Sequence, residues 1–311
     1  MQGGHSMSKV SSILSAFHAL VISPRVSSIV SAFYALVIAL TLASCEKFDL
    51  STESTPPKGN LQVRVFQIEQ TAFETFTRTA VSDVCTRLNF AIYDEGGSRL
   101  KQINQQSSAA DFGSAAFQLD EGNYQLVVVA HSSNGNPTMT DPAKIQFNNT
   151  QGYTDTFSCY GEVTIGEDPV ELEVSLDRIV SLCRFVITDE FPAEVKKMRF
   201  YYTGGSGAFN ALTGLGCVNS KQDVKIDVTS GQKQFDLYTF LHDREGTIHL
   251  TVTALDASGN DLYNRVFDVP MQQNYITWLS GAFFSGSGSA STTITGVTVN
   301  TDWAGETHLT F

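Results

Sequence analysis

The chemistry most legible in this chain is that of one thiol, Cys45. An apolar run from Ile29 to Leu42 follows Arg25, and the small residues Ala43 and Ser44 stand directly before the cysteine. A positive flank, an apolar core, small residues at a cut and a cysteine just after it form the pattern of a bacterial lipoprotein signal, in which that thiol is acylated. The run is short for a membrane span and no polar-flanked stop signal follows it. Residues 1–44 are therefore expected to be removed, leaving a mature chain that begins at Cys45. The leader holds a near-repeat, Val10 to Ser23 and Val26 to Ala39, read as a duplication or as a start codon set too far upstream.

Other residue types capable of chemistry are present without the spacing that chemistry needs. His131, His242, His249 and His308 are scattered, with no HExxH, nucleophile elbow or phosphate loop. Gly205-Ser206-Gly207 follows a strand pattern but opens no helix, so it reads as a surface loop. The acid pairs Asp94-Glu95, Asp120-Glu121 and Asp189-Glu190 fall at turns, where acids are common for reasons unrelated to calcium. Cys85, Cys159, Cys183 and Cys217 have no metal-site spacing. In an envelope protein they could form two disulfides, for example Cys85 with Cys159 and Cys183 with Cys217, though three pairings are open and small buried hydrophobes are an equal alternative. No enzyme, metal or cofactor is expected beyond the covalent lipid. The leader carries Lys9 and Arg25 and no acid, so the mature chain stands two units below the −12 of the whole. That charge argues against nucleic acid and against adsorption to anionic lipid through a basic patch.

The elements that must carry these residues are strands. Residues 45–60, with Pro56-Pro57 and no periodicity, read as a tether. Leu61, Val63 and Val65 alternate, and the phase slips at Phe66 so that Ile68 continues on the other parity, which predicts a bulged strand. A Thr-rich loop containing Arg78 follows. Leu88, Phe90 and Ile92 predict a strand that turns at Asp94 to Gly97 into a second one. Phe117 to Ala130 reads as strand, tight turn at Gly122 and strand, a hairpin whose aromatic, Tyr124, falls two residues after the glycine. This F-x-L-x-x-G-x-Y-x-L pattern resembles those of prealbumin-like sandwiches. The alternation of Val170, Leu172, Val174 and Leu176 is taken to open a second unit, which gives domains at 61–169 and 170–285. Within the second unit Gly204 to Gly216 reads as a glycine-rich loop. Residues 286–311 read as a flexible hinge and terminal strands that either fold back or complete a neighbour's sheet.

In order and spacing, several segments resemble the fimbrillin-anchor family of Bacteroidales fimbriae. They are Cys45 with its lipobox, LNFAIYDEGGSRL at 88–100, FGSAAFQLDEGNYQLVVVAHS at 112–132, SLDRIVSLCRFVITDEFPAEV at 175–195 and DWAGETHLTF at 302–311. The resemblance implies an all-β chain of two tandem transthyretin-like (prealbumin-like) Greek-key β-sandwich domains. It also implies a lipid-anchored lipoprotein at the cell surface and outer membrane, which seats a fimbrium and joins other subunits by β-strand complementation. In shaft subunits of related families an Arg-specific protease removes the first strand; here that cut would follow Arg78 and make the chain a shaft or tip subunit instead. A further alternative is a surface lipoprotein that captures glycan on Tyr201, Tyr202 and Trp278. A tethered hydrolase lacks the residues to act.

Overall fold

The computed structural model describes residues 59–69, 81–148, 150–285, 293–294 and 303–311. Cys45, all but the last two residues of the expected tether at 45–60, Arg78, and residues 286–292 and 295–302 of the expected hinge and terminal strands at 286–311 lie outside them. The first half comprises β1 (Leu61–Glu69), a single helical turn α1 (Val81–Val84), β2 (Arg87–Tyr93), β3 (Arg99–Gln106), β4 (Ser114–Phe117), β5 (Gly122–His131), β6 (Ile145–Gln146), β7 (Thr156–Ile165) and β8 (Val170–Arg178). Seven of these strands form one sheet in the order β3-β2-β5-β7-β8-β1-β4. β7 and β8 share only the pairs Phe157↔Arg178 and Ser158↔Asp177, so the sheet turns a corner there. Its two parts close over one core, with Leu61, Val63 and Ile68 on one side and Leu88, Phe90, Val128 and Phe157 on the other.

Local chemistry accounts for these elements. The predicted bulge in β1 is a register shift between Val65 and Gln67, and it leaves Phe66 half exposed while Ile68 returns to the core. The β2–β3 hairpin closes where Ser98 N–H donates to Asp94 Oδ1 at 2.8 Å, with Gly97 at φ 81°. The segment from Phe117 to Ala130 departs from the expected hairpin. β4 pairs with β1, whereas β5 pairs with β2 and β7, so the chain crosses from one layer to the other between them. Leu119 is pinned at the crossing by both amide atoms of Asn60, and the Tyr124 hydroxyl donates back to the Asp120 carbonyl at 2.9 Å.

The second half comprises β9 (Ser181–Ile187), β10 (Lys197–Ser206), β11 (Ala208–Asn210), β12 (Leu215–Gly216), β13 (Asn219–Asp227), β14 (Gln234–Thr239), β15 (Glu245–Leu255), β16 (Asp261–Gln272), β17 (Tyr275–Gly281), β18 (Thr293–Ile294) and β19 (Gly305–Thr310). Two sheets, β13-β10-β15-β16 and β14-β9-β17-β19-β18, face each other over a core rich in phenylalanine. Phe185 lies at its centre, within 6.0 Å, ring to ring, of Phe200, Phe267, Phe283 and Phe311.

Two expectations change here. Val170–Arg178 belongs to the first sandwich, pairing in parallel along β1 from Leu61↔Val170 to Glu69↔Asp177, and the second sandwich begins at Ser181. Alternation shows that a strand has an apolar face but not which core that face meets. The stretch from Gly204 to Gly216 is largely strand: it completes β10 and supplies β11 and β12, which join β6 in a small three-stranded sheet. Glycine is needed at Gly204, φ 92°, because a Cβ there would collide with the Thr247 carbonyl oxygen of the neighbouring strand.

A third core joins the halves. Ala91 and Tyr93 of β2 and Val127 and Val129 of β5 meet Leu182 of β9 and Ile276 of β17, with Phe147, Tyr153, Phe209 and Phe240 packed among them. The run Leu126 to Ala130 is thus buried on both faces, which is why it is continuously apolar rather than alternating.

Candidate assembly strands

β1 is an interior strand despite being the first in the chain. It is hydrogen-bonded to β4 over four antiparallel pairs on one side and to β8 in parallel on the other. Its Leu61, Val63 and Ile68 side chains are at most 1% exposed. Burying each contributes roughly 1.5–3 kcal/mol, so its loss would open an apolar groove as well as two unpaired ladders.

β19 plays the corresponding part at the other end. Its six residues pair in parallel with β17, from Tyr275↔Gly305 to Ser280↔Thr310, so the terminal strand completes its own domain here. Trp278 of β17 donates its indole N–H to buried Glu306, and its ring stacks on His308 with centroids 5.4 Å apart. Beyond the strand, Phe311 stacks on Phe185 at 5.2 Å and its N–H donates to the Ser280 carbonyl. Gly305 lies against the Tyr275 ring, where any side chain would collide.

Arg178, at the end of β8, fastens the lead-in of β19 to the first sandwich. Its guanidinium donates to both carboxylate oxygens of Asp155 at 2.8 and 2.9 Å, and to Asn274 Oδ1 at 3.2 Å. It also lies 3.9 Å from the Trp303 ring centroid and 4.8 Å from that of Phe157. Asn274 is the single non-glycine residue with positive φ among those described, in the tight turn between β16 and β17. Sequence patterns gave no warning of this hub. The available signal was a charged residue inside an apolar run, Leu176-Asp177-Arg178-Ile179-Val180, because an arginine at such a site needs a partner.

The remaining sequence candidates fall as follows. Cys45 and Arg78 lie outside the described residues. Cys85, Cys159, Cys183 and Cys217 are free thiols, so neither proposed pairing is formed. Cys85 and Cys159 border the first core and Cys183 is sealed in the second, and burial pushes the Cys183 thiol up to about 12. Cys217 is exposed at the end of β12. His131 is buried and accepts the Ser133 N–H on Nδ1, so its Nε2–H donates to Asn89 Oδ1. Burial, with Arg87 nearby, lowers its pKa to about 4 and keeps the ring neutral. His249 pairs with Asp268 on an exposed sheet face, remote in register from β19.

Of the turn acids, Asp189 accepts backbone N–H groups from Phe283, Phe284 and Ser285. Burial pushes its pKa up, but those bonds outweigh it and hold the carboxyl below its usual value. Among the described residues no group of three or more His, Cys, Asp or Glu side chains is placed to hold a metal ion. The three aromatics offered as a glycan platform do not form one. Tyr202 is buried with its hydroxyl on the Tyr238 carbonyl, and the two that are partly open, Tyr201 on β10 and Trp278 on β17, lie in different sheets, with Trp278 engaged as above.

Several solved structures resemble the chain at low identity. The fimbrial anchor protein Mfa2 from Porphyromonas gingivalis is 12% identical with a TM-score of 0.39, covering 66% of this chain and 80% of its own. The tip fimbrial protein Mfa3 from the same organism is 13% identical with a TM-score of 0.34, over 68% and 80%. A fimbrial assembly protein from Parabacteroides distasonis is 14% identical with a TM-score of 0.36, over 72% and 91%. No curated protein sequence matches. A family profile matches residues 55–310, most of the chain, and the protein accordingly belongs to DUF6562, a family of unknown function.

Proposed function

We propose that this protein is an outer-membrane lipoprotein, held at the cell surface by acyl chains on Cys45, that anchors a fimbrium through two transthyretin-like sandwiches. The observation that carries the reading is the place of β1. The strand that follows the tether from Cys45 is locked inside the first sandwich by pairing on both edges and by buried Leu61, Val63 and Ile68. Pull on the lipid is thereby transmitted to a folded core rather than to a loose end. The order of the chain adds a constraint: β1 lies between Cys45 and Arg78, so a cut after Arg78 would sever the covalent link between lipid and domain. An anchor must remain uncut there, whereas a shaft or tip subunit could release β1 and accept another subunit's strand in the groove it leaves. The role is structural, needs no cofactor beyond the lipid, and is directed to other fimbrial subunits.

Replacing Cys45 by alanine tests the mooring. A single acyl chain binds membrane only marginally and stable attachment takes more than one, so loss of the acylated residue removes the attachment outright. The expected outcome is fibres shed into the medium while the sandwiches still fold. Fibres retained on Cys45→Ala cells as firmly as on the parent would overturn the proposal.

A further inference from the structure

Between the corner of the first sandwich and the β16–β17 turn of the second lies a cleft of about 510 Å³, within the range of small-ligand pockets, about 300–1,000 Å³. Its floor is rigid. Arg178 is held by Asp155 and Asn274, and Gln273 Nε2 donates to the Gly214 carbonyl at 2.8 Å. The groups lining the rest are not engaged. Arg244, Gln272, Tyr160 and Tyr275 make no side-chain hydrogen bond or ion pair with any described residue, and the buried Ser158 Oγ has no hydrogen-bond partner. A buried hydroxyl such as Ser158 Oγ is normally satisfied by protein, by water or by something that binds, whereas Arg244, Gln272, Tyr160 and Tyr275 are open to solvent and free to turn toward a ligand.

Their chemistry defines the ligand. A guanidinium supplies donors, a carboxamide and phenols supply both donors and acceptors, and the tyrosine rings supply apolar faces. Hydroxyl groups, which donate and accept at once, match such a set. Charge narrows it further: Asp155 pairs with Arg178, and the lining otherwise carries one acid, Asp177, and one base, Arg244, so its formal charge balances and favours neither an anion nor a cation. We propose that this cleft binds a short neutral oligosaccharide. The assignment stands on the cleft alone and does not depend on the fimbrial role.

The test is titration calorimetry on the mature chain with maltotriose, N-acetyllactosamine and mannotriose, and with a glucuronic-acid-terminated disaccharide as the charged control. At least one neutral probe is expected to bind saturably. Arg244→Ala should weaken that binding about tenfold, the effect of losing a charge-assisted hydrogen bond, and Tyr160→Phe should weaken it less. Thr251→Ala, on the outer face of the β10–β15 pair, should leave it unchanged. Arg244 is exposed and unpartnered among the described residues, so its removal does not threaten the fold. Binding of none of the neutral probes, binding of the acidic disaccharide alone, or binding indifferent to Arg244→Ala would each overturn the assignment.

Discussion

Ending the chain at Ser285 is expected to remove most of the stability of the second sandwich. Such a chain lacks β19, and with it Leu309 and Trp303, both buried, and the Phe311 ring that packs on Phe185 and Phe267. Three large apolar side chains at roughly 1.5–3 kcal/mol each amount to about 5–9 kcal/mol. A whole domain is commonly stable by only about 5–15 kcal/mol. The truncation would also expose one edge of β17 and leave the indole N–H of Trp278 without Glu306. Urea unfolding followed by near-ultraviolet circular dichroism checks this. The truncated chain should have no folded baseline for the second sandwich, or a midpoint reduced by more than half. A midpoint equal to that of the parent would mean that β19 is an accessory to a domain that is complete without it.

Arg178→Met is the substitution expected to cost most at a single position, about 3–5 kcal/mol, because it leaves the Asp155 carboxylate without its partner beside an apolar core. The Arg178 side chain is only 2% exposed, against 21% for Asp155, so solvent offers the arginine site little compensation. Changing both residues, as Arg178→Met with Asp155→Leu, should recover much of the loss, since two apolar side chains can replace a buried pair at little net cost. Denaturant melts of both single variants and the double variant form the required cycle. A single-variant loss below about 1 kcal/mol would show that the pair behaves as a surface salt bridge.

These two predictions involve what the sequence could and could not disclose. The strands were legible because alternation is physical: Leu61, Val63 and Val65, or Ile248, Leu250 and Val252, must point one way if one face meets a core. Even the bulge at Phe66 was readable as a slip of parity. Partner choice was not, since an apolar face fits any core. Hence alternation alone puts Val170–Arg178 in the second sandwich, where its pairing with β1 puts it in the first, and reads a hairpin where the chain crosses between layers after Phe117. Glycines misled for a related reason. Gly204 and Gly216 serve close backbone approach within strands, although composition alone suggested a loop. The hub at Arg178 joins Asp155, Asn274 and Trp303, which are far apart in the chain, and no local pattern encodes such a pairing. The proposed acylation of Cys45 is the opposite case, a reading that rests on a purely local pattern.

The account turns on a chain that keeps both its lipid and its first strand. Mass spectrometry of the mature N-terminus, taken from protein that co-purifies with assembled fimbriae, tests this most directly. An acylated peptide beginning at Cys45 and continuous through Arg78 is the predicted result. A terminus at Thr79, with no lipid, would contradict it and identify a processed subunit whose β1 has been removed.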